Sequence, residues 1–152
     1  MIQKKNIKEY VFNRDKGICY HCGKPVRFNK MTLDHYFPKS LGGAEAYYNL
    51  VCSCKTCNRL KKSVVPKDWM TVNIELFKCA VVDGKITKAS DVYIVQNQLV
   101  ALTQKIETIF RNKVNTVFEG PGFRLYVKDN RIYKMVKFHQ MEADSNFEPE
   151  FE

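Results

Sequence analysis

The sequence predicts an α+β fold: a small strand–strand–helix unit held by zinc, followed by a helical segment and a C-terminal β-hairpin. Three observations predict this order. Two Cys-x-x-Cys pairs, Cys19/Cys22 and Cys54/Cys57, enclose short apolar runs in the first half. Residues 66–114 repeat apolar side chains every three or four positions, whereas residues 123–138 alternate apolar and polar side chains.

The first half is predicted to hold two helices with two strands between them. The first helix covers residues 3–15, where three apolar side chains share one face: Ile7, Val11 and Phe12. Short apolar runs predict strands at 26–28 and 31–37 around a tight turn. Residues 54–63 are polar and rich in lysine, and predict a short helix that begins at the second cysteine pair.

The second half is predicted to form two helices and a hairpin. Residues 66–79 form the first of these helices, because proline is favoured at the first helical position. A longer helix is predicted from Ser90 to about Val114. Residues 123–138 form the hairpin, which turns at 129–130. Residues 142–152 hold five acids and no base, which predicts a disordered tail.

The predicted longer helix leaves two interpretations open. Its apolar side chains follow a three-four spacing over residues 92–109: Val92, Val95, Leu99, Leu102, Ile106 and Ile109. This stripe could pair with a second copy and form a homodimer, or it could pack on its own domain. The predicted organisation is therefore a core at 1–65, accessory helices and hairpin at 66–141, and the acidic tail.

The chain is basic, and the excess charge lies in one half. The sequence holds 25 Lys and Arg against 16 Asp and Glu, a net charge of +9. Residues 1–65 hold 13 of the bases and only 4 of the acids, so the remaining residues are balanced. A basic region next to candidate metal ligands favours a polyanionic partner, because Lys and Arg release counterions from a phosphate backbone.

Cysteine use and hydropathy predict a cytoplasmic protein with metal-bound thiols. No apolar run approaches the roughly 20 residues that span a bilayer, and the N-terminus lacks a signal-peptide core. In the cytoplasm, cysteines are more often metal ligands than disulfides. Cys19, Cys22, Cys54 and Cys57 have the spacing for one tetrahedral Zn²⁺. Cys52 and Cys79 are out of register and are expected to be ordinary thiols.

An Asp-His pair and two asparagines lie between and beside the cysteine pairs. The string Asp34-His35 … Asn49 … Cys54-x-x-Cys57-Asn58, with Cys19-x-x-Cys22 upstream, resembles the HNH endonuclease family. It is similar to the zinc-containing members, whose fold is called ββα-metal or His-Me finger. The resemblance covers residues 10–64. The family often has histidine at its last position, where this chain has Asn58.

These residue types suit phosphodiester hydrolysis by a metal-activated water. An imidazole such as His35 can remove a proton from water near neutral pH. The oxygens of Asp34 and Asn58 suit Mg²⁺ or Mn²⁺. The resemblance implies these same roles, with Asn49 bracing the loop that orients His35. Because adjacent strand residues point to opposite faces, Asp34 and His35 can share a site only if the strand ends or bends there.

Several basic residues are candidates for contacts with a nucleic acid. Arg59, Lys61 and Lys62 follow Asn58 on the predicted short helix, and could contact phosphates or form a solvated face. Arg14 could clamp a phosphate or pair with Asp15. The outward face of the predicted hairpin carries a further set of basic and aromatic side chains: Arg124, Tyr126, Lys128, Arg131, Tyr133 and Lys137.

The expected function is therefore a metal-dependent endonuclease that hydrolyses DNA, most simply double-stranded DNA. One alternative is a zinc-stabilised DNA-binding module that does not cleave. The intact set of Asp34, His35 and Asn58 argues against that alternative, because binding alone does not need all three. A second alternative is an RNA-directed nuclease, which the motif also permits.

Overall fold

A computed structural model describes residues 4–112 and 115–138 of the chain. The first half contains α1 (Lys4–Arg14), β1 (Thr32–His35), β2 (Leu50–Ser53) and α2 (Lys55–Lys61). The second half contains the remaining elements: α3 (Trp69–Val82), β3 (Thr87–Lys88), α4 (Gln96–Thr103), β4 (Thr108–Asn112), β5 (Asn115–Gly120), β6 (Phe123–Lys128) and β7 (Arg131–Lys137). The predicted mixture of helices and strands is confirmed.

A two-stranded sheet followed by a helix forms the centre of the first half. β1 pairs antiparallel with β2, with Thr32 opposite Ser53 and His35 opposite Leu50. α2 begins directly after β2, with Cys54 as its N-cap residue. The predicted strand at 26–28 is wrong, and the partner of β1 lies at 50–53 instead. All four β2 residues are buried, so this strand lacks the alternation that marks a half-exposed strand.

Helix α1 forms as expected and packs on β2. Val11 is completely buried and Ile7 nearly so, which matches the apolar face read from the sequence. Gly17 follows in the left-handed region at φ 65°, a conformation that glycine adopts without steric cost. Phe12 closes over this turn, where a Cβ on Gly17 would lie 2.9 Å from its ring.

The second half is built on a five-stranded sheet with the order β3-β7-β6-β5-β4. β4 to β7 are antiparallel neighbours, and the short β3 joins β7 in parallel. The predicted hairpin at 123–138 is confirmed as β6 and β7. Its turn contains Asp129 at φ 52°, a left-handed conformation that aspartate tolerates better than most residues.

The predicted long helix from Ser90 to Val114 is wrong. α4 ends at Thr103, and Thr108–Asn112 forms β4, which pairs with β5 along its length. The three-four stripe therefore spans a loop, a short helix and a strand. Leu99, Ile106 and Ile109 are buried in the core of their own chain, so the helical surface on which the homodimer prediction depended does not exist.

The first and second halves share buried aromatic side chains. Tyr48 packs edge-on against Phe77 of α3 at 5.6 Å and against Phe118 of β5 at 5.4 Å. The Phe77 and Phe118 rings stack at 3.9 Å. All three side chains are completely buried. The packing thus extends across residue 65, the predicted boundary, and the division at that point stays a prediction.

One further helix differs from its prediction at both ends. The helix predicted at 66–79 spans Trp69–Val82, because Pro66 lies in the turn before it instead of at its first position. The predicted acidic tail lies outside the described residues. Within the described part of the chain, no helix combines the length and apolar character needed to cross a bilayer.

Candidate active site and metal centre

Four cysteine side chains converge where the chain leaves β2 and enters α2. The sulfur atoms of Cys19, Cys22, Cys54 and Cys57 all lie within 4.8 Å of one another. Sulfurs on one tetrahedral Zn²⁺ sit about 3.8 Å apart, given Zn–S bonds of about 2.3 Å. The predicted convergence of the two pairs is confirmed, and the donor set fits zinc.

Local backbone turns place these sulfurs. The first pair lies on a tight turn in which the Gly23 N–H donates to the Cys19 carbonyl at 2.9 Å. That turn is tied to β2, because the Tyr20 N–H donates to the Cys52 carbonyl at 2.8 Å. In the second pair, the Cys57 N–H donates to Cys54 Sγ at 3.4 Å, which caps α2 with one of the ligands.

Within this cluster, the thiols of Cys19 and Cys57 have pKa values shifted in opposite directions. Burial opposes ionisation of Cys19, but hydrogen bonds from the backbone of Cys22, Cys54 and His21 outweigh it and lower the pKa of Cys19 to about 6. A hydrogen bond to Cys54, with burial second, raises the pKa of Cys57 to about 12. Neighbouring thiolates repel, so the cluster ionises fully only with a cation among the sulfurs.

The two remaining cysteines stand apart from this cluster. Cys52 is completely buried, and burial with the nearby Asp15 carboxylate raises its pKa to about 11. Burial, together with Asp83, also raises the pKa of Cys79, although its hydrogen bond with Tyr10 acts in the opposite direction. Raised pKa values keep both thiols protonated and unreactive near neutral pH.

A separate cavity lies between the end of β1 and α2. It measures about 230 Å³ and is lined by Asp34, His35 and Asn58, together with Lys62 and the loop that follows β1. The condition set by strand geometry is met, because β1 ends at His35. Two consecutive residues therefore reach the same cavity.

The Asp34 carboxylate is almost completely buried and is held by two basic side chains. His21 Nε2 lies 2.6 Å from Asp34 Oδ2, and Lys61 Nζ donates to Asp34 Oδ1 at 3.2 Å. Lys61 also donates to the His35 carbonyl at 2.9 Å. Each carboxylate oxygen has two acceptor positions, so Asp34 keeps capacity for a ligand in the cavity.

Lys61 and His21 both contact Asp34, which the sequence did not predict. Lys61 was expected to contact phosphates or to lie on a solvated face, but its side chain is only 9 % exposed and pairs with Asp34. His21, within the first cysteine turn, is an exposed residue whose ring contacts Asp34 and stacks parallel to the Tyr36 ring at 5.9 Å between ring centres.

A carboxylate that the motif did not reveal contacts His35. Glu45 Oε2 lies 2.7 Å from His35 Nε2, and Lys39 Nζ lies 3.8 Å from the same carboxylate oxygen. Glu45 comes from the loop between β1 and β2, ten residues after His35. Its one sequence signal is that it is the only acid between Asp34 and Asp68.

Asn49 holds the loop that connects β1 to β2. Its side chain is completely buried, accepts from the Phe37 N–H at 2.8 Å and donates to the carbonyls of Phe37 and Ala44 at 3.0 and 3.1 Å. The loop also closes on itself at Gly43, where a Cβ would lie 1.9 Å from the Phe37 carbonyl oxygen. One amide thus joins both ends of the loop that carries Glu45.

The second half supports the same loop from outside. Arg111 of β4 donates to the carbonyls of Leu41 and Gly42, and its guanidinium lies 4.5 Å from the centre of the Phe37 ring. The Asn73 side chain on α3 donates to Asn49 Oδ1 at 3.2 Å. The conformation of the loop between β1 and β2 therefore depends on elements beyond the cysteine-containing segment.

The other predicted contact residues occupy different positions. Asn58 Nδ2 donates to Thr32 Oγ1 at 3.1 Å, which orients the amide across β1. Arg14 forms a two-pronged pair with Asp15 at 2.9 Å, and its side chain is only 6 % exposed, so it supports the fold. Arg59 and Lys62 are exposed, and Lys62 lines the cavity.

Comparison with known proteins identifies the segment that holds both clusters. The HNH endonuclease family model matches residues 19–70. The chain is also similar to the type IV methyl-directed restriction enzyme EcoKMcrA of Escherichia coli K12, with 36% identity over 59 residues. That alignment covers 35% of this chain and 21% of the restriction enzyme, so the chain matches about a fifth of its relative's length. The resemblance to the HNH endonuclease family that the sequence motif predicted is therefore confirmed for residues 19–70.

Proposed function

We propose that this protein is an endonuclease that hydrolyses phosphodiester bonds in double-stranded DNA with the help of a divalent cation. The observation that carries the proposal is the shared cavity of Asp34, His35 and Asn58 beside the four-cysteine cluster. We assign β1, β2 and α2 to the ββα-metal fold, because an antiparallel strand pair followed by a helix presents these residues in the family's order.

The proposed catalytic cation is Mg²⁺ or Mn²⁺, held by Asp34 and Asn58. When bound, such a cation supplies positive charge to the scissile phosphate and to the departing oxygen. The donors fit, because a carboxylate and an amide oxygen are hard ligands. The amide nitrogen of Asn58 donates a hydrogen bond to Thr32 Oγ1, so the amide carbonyl oxygen of Asn58 is the atom available to bind the cation.

His21 and Lys61 fix the orientation of Asp34. A buried carboxylate held at both oxygens cannot rotate freely, so its remaining acceptor positions have a defined direction. Lys61 also offsets the cost of burying the Asp34 charge. Neither group is assigned a direct contact with the substrate.

His35 is the proposed general base. The Glu45 carboxylate accepts a hydrogen bond from protonated Nε2, which leaves Nδ1 of the neutral imidazole to take a proton from the attacking water. As His35 becomes positively charged, the same carboxylate stabilises it. Asn49 contributes indirectly, since it holds the loop that positions Glu45.

The four-cysteine site is proposed to bind a structural Zn²⁺. Four sulfur ligands leave no open position for a substrate, which is typical of structural zinc. Because Asn58 directly follows Cys57 on α2, a zinc ion at the cysteines would fix the start of that helix and the position of the amide. Zinc would thereby connect the stability of this unit to the geometry of the cavity.

Double-stranded DNA is the proposed substrate for two reasons. The first half of the chain carries the entire net positive charge, and Arg59 and Lys62 lie exposed near the cavity. The similar protein from Escherichia coli is named a methyl-directed restriction enzyme. A cytoplasmic location, as predicted from the sequence, fits such a substrate.

A plasmid-nicking assay with Mg²⁺, Mn²⁺ or EDTA tests this function. We expect metal-dependent conversion of supercoiled to nicked plasmid, and a loss of about 10²–10⁴ in rate for His35→Ala. Gln98→Ala on the exposed side of α4 serves as the control and should cut normally. Tight DNA binding without cutting would favour the binding module, and cleavage of RNA alone would favour the RNA-directed nuclease.

A further inference from the structure

A cleft outside the family-matched segment lies next to the candidate active site. It has a volume of about 620 Å³ and lies between α1 and the turn that joins β6 to β7. Ile7 lines it from α1 and Glu45 from the loop between β1 and β2, while Lys128, Arg131 and Tyr133 line it from the hairpin. We call this space the hairpin cleft.

An intermediate cavity lies between the hairpin cleft and the cavity lined by Asp34, His35 and Asn58, which we call the catalytic cavity. This intermediate cavity, of about 390 Å³, is lined by Lys8, His35, Lys39 and Glu45 among others. It shares Glu45 with the hairpin cleft, and it shares His35 and Lys39 with the catalytic cavity. The hairpin cleft and the intermediate cavity therefore meet at Glu45, and the intermediate and catalytic cavities meet at His35 and Lys39.

Hydrogen bonds of Asn130 fix the hairpin turn against the first half of the chain. The Tyr47 N–H donates to Asn130 Oδ1 at 2.9 Å, and the Thr87 N–H donates to the Asn130 carbonyl, also at 2.9 Å. Lys128 and Arg131 lie directly opposite each other at the ends of β6 and β7, on either side of this anchored turn. Both side chains are exposed, so two cations stand at a defined position on the cleft.

The chemistry of the hairpin cleft and the intermediate cavity fits a nucleic-acid strand. Two acids line them: Glu45, which is paired with His35 and Lys39, and Asp129 in the turn. Four cations line them: Lys8, Lys39, Lys128 and Arg131. Ile7 and the Tyr133 ring add apolar surface in the hairpin cleft. A basic rim with an apolar, aromatic floor accommodates phosphates together with sugars and bases.

We infer that the hairpin cleft binds the DNA backbone beside the scissile phosphate, with Lys128 and Arg131 in contact with phosphates. The path of the DNA toward His35 rests on the proposed function, whereas DNA binding at the cleft can be measured without cleavage. The second half of the chain would then extend the contact surface beyond residues 19–70. It would do so at a position fixed by the Asn130 anchor.

The experiment measures the salt dependence of DNA binding by fluorescence anisotropy, with a labelled duplex in EDTA so that no cutting occurs. The test variant is Lys128→Ala/Arg131→Ala. The control is Lys105→Ala, which removes an exposed cation outside the hairpin. Lys105 lies beside Gly120, which pairs with Phe123 at the opposite end of the sheet from the hairpin turn.

We expect the slope of log K against log salt concentration to fall by about 2 in the test variant, because each lost phosphate contact removes about 0.9. The control should keep the slope of the unaltered protein. Equal slopes for the test variant and the unaltered protein would overturn the inference, provided that both have the same melting temperature. If the slope changes but no metal-dependent nicking occurs, the cleft assignment stands and the proposed nuclease function fails.

Discussion

The side chains of Glu45 and His35 meet at 2.7 Å, between a carboxylate oxygen and Nε2. This contact joins the end of β1 to the middle of the loop that precedes β2. Asn49 and Arg111 hold that loop by hydrogen bonds to its backbone. The orientation of the proposed base therefore depends on a loop conformation that side chains from both halves of the protein maintain.

Replacing Glu45 tests this relationship. We predict that Glu45→Gln lowers the nicking rate about tenfold to hundredfold, because an amide can stabilise neither the required tautomer nor the imidazolium as well as a carboxylate does. Single-turnover cleavage at saturating DNA measures the effect. Glu75→Gln, an exposed acid on α3, removes the same charge elsewhere and should cut at the normal rate. A normal rate for Glu45→Gln would show that His35 is positioned without this carboxylate.

The four-cysteine site gives a prediction about metal content. We expect the purified protein to contain about one zinc per chain, since four thiolates complete a tetrahedral shell. Cys57→Ser should bring the zinc content far below one and lower the melting temperature, as measured by elemental analysis and circular dichroism. Cys79→Ser removes a thiol outside the cluster and should retain the metal. Similar zinc loss in both variants would contradict the assignment.

The buried Asn49 side chain predicts a measurable loss of stability. Asn49→Ala leaves the Phe37 N–H and two loop carbonyls without their partner, and each unpaired buried group costs about 1–3 kcal/mol.

 Denaturant unfolding measures the change in free energy, which we expect to total a few kcal/mol. Asn97→Ala, an exposed amide on α4, should change the free energy by less than about 0.5 kcal/mol. A similarly small change for Asn49→Ala would show that water replaces the lost contacts.

The shared aromatic cluster predicts that the two halves depend on each other. Tyr48→Ala should lower the free energy of unfolding by about 3–5 kcal/mol, the usual cost of removing a large buried ring. Tyr93→Ala, whose side chain is 84% exposed, is the matched control and should have little effect.

A fragment of residues 1–65 extends this test. Without Phe77 and Phe118, Tyr48 would lose its ring contacts and its burial. We expect the fragment to lack a dispersed NMR spectrum even with zinc present. A well-folded fragment with native-like chemical shifts would instead support the boundary predicted from the sequence.

The parts of the fold that the sequence predicted correctly have local causes. The amphipathic face of α1, the alternation of β6 and β7 and the short helix after the second cysteine pair all follow from spacing within a few residues. β2 was missed because it is buried on both faces, and an apolar run without alternation has no distinctive period. The helix predicted over 90–114 failed because a three-four spacing can also arise when a loop, a helix and a strand bury side chains in one core.

In the candidate site, too, some features could be predicted from the local sequence and others could not. Residue type and order alone indicated the four cysteines, Asp34, His35 and Asn58. The pairing of Glu45 with His35 and of Lys61 with Asp34 could not be predicted, because a lone acid in a loop and a lysine on a short helix are common at protein surfaces.

The sequence by itself determined which chemical groups are present, in what order, and that the cysteine pairs suit one metal ion. Ligand spacing carries this information because metals and motifs impose short, regular intervals. Only the tertiary structure decided that His21 and Lys61 hold Asp34, that Glu45 holds His35, and that the hairpin turn stands beside the loop between β1 and β2. These relationships join residues that are far apart in sequence, and they form when burial of a shared core brings separate elements together.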